Sequence, residues 1–228
     1  MDKLEQLRSI RSFVRREGRL TSGQHRAFDT YWEYFGLDAD STLSALDTVF
    51  GRRAPRVLEI GFGDGETLAA MAYAHPETDY LGIEVHRPGV GHLLLRAQAL
   101  ELTNLRIICA DAVDVLRRQL PEACLDHVQI FFPDPWPKKR HHKRRLIQPD
   151  FVALVARKLK AGAHLHLATD WEDYARHMLE VLQATDDFSN AGDSDPFAGR
   201  SAGRPLTKFE RRGQRLGHEV RDLIFRRR

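Results

Sequence analysis

Of 228 residues only two are cysteine, Cys109 and Cys124. They form no CxxC pair and join no Cys/His cluster, which excludes a disulfide-stapled scaffold and a structural zinc site. Both sit in apolar, strand-like runs and read as buried free thiols of a reducing compartment. The eleven histidines are scattered without metal-ligand spacing, so no metal is expected. No apolar run approaches the roughly 18 residues that suggest a membrane span. The N-terminus carries Asp2, Lys3 and Glu5 and lacks the apolar core of a signal peptide. These absences point to a cytoplasmic protein with no membrane attachment, expected to be a monomer. Excess charge is lacking too: 35 Lys and Arg face 32 Asp and Glu, so general stickiness toward polyanions is excluded.

What charge there is lies unevenly. Residues 138–145 hold six Lys or Arg, two His and no acid. Residues 199–228 hold ten Lys or Arg against Glu210, Glu219 and Asp222. Clustered basic charge on a nearly balanced chain suggests a nucleic-acid face, the alternative being a solvated surface.

From about residue 55, short apolar runs alternate with helical patterns. The strand-like runs are 56–62, 79–85, 105–111, 125–132 and 163–169. They are continuously apolar, as strands covered on both faces are. Between them, 66–74, 89–102, 112–119, 149–160 and 171–183 read as helices, with Pro149 in a first turn and Gly162 as a stop. Alternation of this kind predicts right-handed crossovers and a Rossmann-like α/β fold, with a mostly parallel seven-stranded sheet and helices on both faces. Stretches 206–212 and 218–227 read as a C-terminal antiparallel edge. Residues 1–54 read as a basic N-terminal arm containing Arg8, Arg11, Arg15, Arg16 and Arg19, ahead of a main domain over 55–228. A polar loop at about 184–206 is expected to be functional or mobile.

The first strand runs into Gly61-Phe62-Gly63-Asp64-Gly65. A glycine turn lets backbone approach a ligand and is expected to free N–H groups at the helix start. A dinucleotide fingerprint would place its third glycine at 66, where Glu66 stands. The 61/63/65 spacing, with Glu59 inside the strand, instead resembles motif I of the class I S-adenosylmethionine-dependent methyltransferases. Glu84 closes the next strand, 19 residues after Gly65; its carboxylate can accept both hydroxyls of a ribose. Asp111 ends the third strand, within reach of an adenine edge, and Glu59 can hold water or a methionine amino group. Each acid taken singly could equally be a helix cap or a solvated turn.

The fourth strand ends in Phe131-Phe132-Pro133-Asp134-Pro135-Trp136-Pro137, followed at once by the basic run Lys138–Arg145. Flanking prolines leave Asp134 little freedom. This string resembles the bacterial tRNA (guanine-N7-)-methyltransferase family. Residues 11–21, 82–91, the run Ala168-Thr169-Asp170-Trp171 and residues 204–213 resemble it too. Arg221 departs from the family pattern, which has an aromatic there.

The resemblance implies a fold, a cofactor and a substrate. S-adenosyl-L-methionine would be held by Glu59, Gly61, Gly63, Gly65, Glu84, Asp111 and Asp134, with Asp134 catalytic. Lys138, Asp170, Thr207, Lys208, Phe209 and Glu210 would hold the guanosine. Arg140, His141, His142, Lys143, Arg144 and Arg145 would contact tRNA, and the product would be 7-methylguanosine in the variable loop.

The chemistry suits these residues. Guanine N7 bears an in-plane lone pair and no proton, so no strong general base is needed. Positive charge leaves sulfur and appears on the purine, and a fixed carboxylate stabilises that charge most in the transition state. Asp134 could do this, or it could orient the methionine amino group. Glu210 suits guanine N1–H and its exocyclic amino group. Phe209 and Trp136 are each either core or stacking surface, and Asp170 is either a substrate ligand or a helix N-cap. A-form RNA hides N7 in a deep groove, so an accessible loop is the expected target. A small-molecule methyltransferase would leave the basic run unexplained, and a non-catalytic RNA-binding module would leave the acids unexplained.

Overall fold

A computed structural model describes residues 12–13, 18–39, 43, 45–191, 197, 204–205, 210, 217 and 219–228. Eight strands form one sheet: β1 Gly36–Leu37, β2 Arg56–Ile60, β3 Asp79–Ile83, β4 Leu105–Ile108, β5 Leu125–Phe131, β6 Leu159–Thr169, β7 Phe188–Asn190 and β8 Arg221–Arg227. Their spatial order is β1-β4-β3-β2-β5-β6-β8-β7. The first six strands are parallel, and β8 runs antiparallel between β6 and β7.

Among the described residues seven α-helices cover the sheet: α1 Ser22–Phe35, α2 Leu46–Phe50, α3 Glu66–Ala74, α4 Arg87–Ala99, α5 Ala112–Arg118, α6 Pro149–Lys158 and α7 Glu172–Gln183. Side chains of α1, α3 and α4, including Ala27, Leu68 and Leu93, bury one face with Tyr80 and Ile107. Side chains of α5, α6 and α7, including Leu116, Val152 and Met178, bury the other with Leu58 and Leu81. Every residue of β3 is buried, as a strand covered on both faces requires.

The stretch expected as an arm joins this body. Helix α1 opens on a capping box between Thr21 and Gln24, and Gln24 Nε2 donates to the Pro88 carbonyl at the start of α4 at 2.9 Å. Strand β1 pairs with β4.

Several local expectations are corrected. Gly162 does not stop a helix: α6 ends at Lys158, and Gly162 sits inside β6 at φ 80°, where the β5–β6 register shifts. A chain with Leu159 already extended at the cap continues straight into strand. Both cysteines are half-buried rather than buried, and burial pushes the Cys124 thiol up to about 11. The expected strand over 206–212 lies outside the described residues apart from Glu210. The expected C-terminal antiparallel edge is present, made by β8 with β7, and its outermost strand β7 lies inside the stretch expected to be loop.

Strand order reverses between β2 and β5. In open α/β sheets the crevice at such a reversal, beyond the carboxyl ends of the strands, is where ligands bind.

Candidate active site

Strand β2 delivers Glu59 to this crevice, and the glycine turn follows. Gly61, Gly63 and Gly65 all have positive φ, 75°, 62° and 75°, which side-chain-bearing residues adopt only at a cost. Their own N–H groups are spent within the protein. Gly61 donates to the Ile83 carbonyl (2.8 Å), Gly65 to the Phe62 carbonyl (2.9 Å) and Gly63 to Glu84 Oε2 (2.9 Å). The turn folds onto its own neighbours, so what it offers a ligand is close approach. A Cβ added at Gly61 or Gly63 would meet nothing within 4 Å, whereas one at Gly65 would strike Leu93 at 2.7 Å.

Glu84 organises this turn. Its carboxylate accepts from the N–H groups of Gly63, Val85 and His86 at 2.9, 2.7 and 2.9 Å. Those three bonds fill most of the roughly four lone-pair sites of a carboxylate. Room remains for about one further donor, so a ribose held by both hydroxyls here would need one of these bonds to yield. Asp111 is the N-cap of α5 and accepts from the Val113 N–H at 3.0 Å; the cap accounts for one of its oxygens.

Glu59 is 3% exposed. Its register partner across the strand reversal is Gln129, whose Nε2 donates to Glu59 Oε2 at 2.7 Å. Burial raises the Glu59 carboxyl to about 7, with Glu84 and Asp64 adding to the rise and Gln129 opposing it. The crevice therefore holds concentrated negative potential and no unspent glycine N–H. That combination suits a ligand carrying positive charge and does not suit a pyrophosphate.

The neighbouring strand β5 ends in a strained turn. Phe132 and Trp136 have φ 53° and 44°, each a departure worth about 1–3 kcal/mol that surrounding structure must hold. Phe132 donates its N–H to the Ala168 carbonyl at 2.8 Å. The Trp136 indole N–H donates to the Ser12 carbonyl at 2.9 Å, and the Arg144 guanidinium lies 4.1 Å over the indole ring. Trp136 is thus a stacking surface for the protein's own arginine. Between these two residues Asp134 is exposed. The prolines marked this turn in the sequence, but nothing there signalled positive φ at residues with side chains.

The basic run forms a short 3-10 helix over Lys139–Arg144. Lys138, Lys139, Arg140 and Lys143 are exposed, while His141, His142 and Arg144 are half-buried. Desolvation and the cations of Arg140, Lys138, Arg144 and Lys143 hold His141 below the usual imidazole value. Arg145, expected among the RNA contacts, does not share that surface. It is buried, with its Nε bonded to the Pro135 carbonyl.

On the next strand, the register Phe131↔Ala168 brings Asp134 and Asp170 to the same end of β5 and β6. A cleft of about 650 Å³ opens there, lined by Asp170, Trp171, Asp173, Glu219 and Arg221 among others. The N-cap of α7 is Trp171, not Asp170. Arg221, the departure from the family pattern, reaches Glu219 at 3.1 Å and Glu172 at 3.9 Å.

Glu210 is placed differently from expectation. It is 1% exposed, and both its oxygens accept from Arg204, at 2.6 and 3.3 Å. In this arrangement it faces a guanidinium instead of a base. Thr207, Lys208 and Phe209 lie outside the described residues. Among the described residues no group of three or more His, Cys, Asp or Glu could hold a metal, and no helix is long and apolar enough to cross a membrane.

The sheet order and the acidic crevice define a Rossmann-like methyltransferase. The family model Methyltransf_4, a methyltransferase model, matches residues 53–223. The crystal structure of the 16S rRNA methyltransferase KamB superposes with a TM-score of 0.59 at 17% identity, covering 80% of this chain and 92% of that one. A 16S rRNA (adenine(1408)-N(1))-methyltransferase crystallised with cosubstrate SAM gives 0.54 at 17%, covering 79% and 88%. At such identities these two show the fold alone.

Sequence relatives narrow the family. The tRNA (guanine-N(7)-)-methyltransferase of Alkalilimnicola ehrlichii is 60% identical over 97% of this chain and 94% of its own length. That of Halorhodospira halophila is 58% identical over 98% and 97%. This chain belongs to the tRNA (guanine-N(7)-)-methyltransferase family.

Proposed function

We propose that this chain transfers the methyl group of S-adenosyl-L-methionine to N7 of a guanine in the tRNA variable loop, forming 7-methylguanosine in the cytoplasm. The observation that carries the reading is the acidic, glycine-walled crevice at the β2–β5 reversal, directly beside the Asp134 turn and the basic 3-10 helix. When bound, S-adenosylmethionine supplies an activated methyl on a positively charged sulfur.

The chain's own residues do the rest. Gly61 and Gly63 leave space beside the backbone that a Cβ would fill. Glu59, buried and hydrogen-bonded by Gln129, receives a positively charged amino group. Glu84 keeps about one acceptor site for a ribose hydroxyl, and Asp111 lies at the adenine end. Asp134, on a turn too strained and proline-rich to relax, presents fixed negative charge where positive charge develops on the purine. Asp170 and the cleft beside it receive the guanine together with Lys138, and the family resemblance adds Thr207, Lys208 and Phe209 to the guanosine contacts. Arg204 holds Glu210.

Exposed Lys139, Arg140 and Lys143, with Arg144 and the two histidines of the run, meet tRNA phosphates. Binding should weaken steeply with salt. The test is methyl transfer from labelled S-adenosylmethionine to unmodified tRNA, followed by nucleoside digestion. Labelled 7-methylguanosine from the variable loop is expected. An enzyme that binds the cofactor and labels no tRNA would overturn the substrate.

A further inference from the structure

Arg145 closes the basic run in sequence, yet its side chain is 1% exposed. Burying a guanidinium is costly unless its donors are matched, and here they are matched from several sides. Nε donates to the Pro135 carbonyl at 3.0 Å. Nη2 donates to Asp173 Oδ2 and lies 3.2 Å from His142 Nε2. The guanidinium carbon stands 4.9 Å over the ring of Tyr174, a fully buried residue whose hydroxyl accepts from the Ile147 N–H at 3.2 Å.

These partners belong to two separate parts of the site. Pro135 directly follows Asp134. Asp173 lies in the first turn of α7 and lines the same cleft as Asp170 and Trp171. One planar group therefore spans from the reaction turn to the cleft wall, and a buried aromatic ring fixes its plane.

We propose that Arg145 is a positioning residue that sets the Asp134 turn against the Asp170–Trp171 wall, and that it makes no phosphate contact. The proposal rests on the reading that these two walls flank the reacting guanine. Its force is geometric. In-line methyl transfer depends on the relative placement of the two sides, and a displacement of about 1 Å can cost about 10²-fold in rate. Lysine would keep the charge but lose the planar fork that bonds carbonyl and carboxylate together, and the stacking on Tyr174.

The test compares Arg145→Lys and Asp173→Asn with Lys143→Ala in the full-length enzyme. Asp173 is largely exposed, so its variant keeps the decision independent of whether Arg145 variants fold. Three quantities are read: the single-turnover methyl-transfer rate at saturating tRNA, the tRNA Kd against KCl concentration, and amide exchange over residues 133–138. Arg145→Lys and Asp173→Asn should lower the saturated rate about 10²-fold and speed exchange in the turn, with tRNA Kd and its salt slope unchanged. Lys143→Ala should weaken binding and reduce the salt slope by about one phosphate's worth, with exchange in the turn as in the wild type. Loss of affinity and slope in Arg145→Lys with the rate retained would make it a phosphate contact and overturn the proposal. So would an unchanged rate or unchanged exchange in Asp173→Asn. If the wild type labels no tRNA, the assigned substrate fails, while the exchange measurement still decides whether Arg145 braces the turn.

Discussion

Gln129 Nε2 donates to Glu59 Oε2 at 2.7 Å across the central reversal of strand order, between β2 and β5. An amide and a carboxyl, both nearly inaccessible, meet where the ligand crevice begins. The Glu59 carboxyl titrates near 7 in the fold, against 4.5 ordinarily, chiefly because burial disfavours its charge. The sign follows directly. Below about 4.5 the group is neutral folded and unfolded, and no penalty exists. As pH rises toward 7 the unfolded chain ionises first, and stability falls by an amount on the order of 3 kcal/mol. Glu59→Gln should therefore match the wild type at pH 4 and exceed it by roughly that amount at pH 8, read by urea unfolding. A difference that stays flat across this range would show that Glu59 is not desolvated as the structure has it. A cationic ligand reverses the preference, so S-adenosylmethionine affinity should rise between pH 6 and pH 8.

Two glycines of like conformation separate strain from function. Gly51 and Gly63 have φ 70° and 62°, and a Cβ on either meets nothing within 4 Å. Gly51→Ala and Gly63→Ala should each cost about 1–2 kcal/mol for the left-handed backbone. Only Gly63 faces the crevice, so only Gly63→Ala should also weaken S-adenosylmethionine binding, by at least about tenfold, since a tenfold loss is about 1.4 kcal/mol. Calorimetric titration of both variants decides. Equal affinities would remove Gly63 from the binding wall.

Much of this layout was legible beforehand because its signals are local. Helix α3 falls on Glu66–Ala74 as its pattern predicts, and the apolar runs from Arg56 onward became the parallel strands. The prolines around Asp134 and the spacing from Gly65 to Glu84 needed only the chain itself. What stayed hidden depends on pairing between distant strands. Gln129 reads as an odd polar residue in an apolar run until the β2–β5 register sets it opposite Glu59. Arg145 looks like its basic neighbours until burial against Tyr174 sets it apart. Strand β1, with two residues, has no periodicity to detect. The single-residue signals for Asp170 and Glu210 were ambiguous by nature, since a cap, an ion pair and a substrate ligand all ask for a carboxylate.

A second buried cluster anchors the C-terminal part of the chain. Arg204 forks onto Asp222 with bonds of 2.9 and 3.0 Å, and onto Glu210 at its other edge. His166 on β6 reaches Asp222 Oδ1 at 2.6 Å. Arg204 also faces the Phe131 and Phe132 rings, 5.5 and 5.7 Å away, so the cluster sits against the root of the reaction turn. Burial alone would raise the Asp222 carboxyl, but its bonds to His166 and Arg204 bring it below the ordinary value. A lowered carboxyl stabilises the fold above its ordinary value of 3.8, and that contribution is lost as pH falls through the folded value. Asp222→Asn should cost about 3–5 kcal/mol at pH 7, the usual result of stripping one partner from a buried pair, and the deficit should shrink in acid. A variant as stable as the wild type at pH 7 would show the cluster to be dispensable.

Asp134 admits two roles that one substitution separates. Its side chain is exposed on a turn held by prolines and strained residues, so Asp134→Asn should change stability by no more than about 0.5 kcal/mol. The amide keeps the shape of the carboxylate and removes its charge. If the carboxylate stabilises the purine as it becomes cationic, the single-turnover rate should fall about 10²–10³-fold while S-adenosylmethionine affinity holds, because the interaction strengthens only in the transition state. If it orients the methionine amino group, cofactor affinity should fall along with the rate. The first outcome is expected, since Glu59 already meets the requirement for an anion deeper in the crevice. Equilibrium binding of S-adenosylmethionine, measured beside the saturated rate, distinguishes the two. A variant unchanged in both would remove Asp134 from the reaction and leave its strained turn without a chemical purpose.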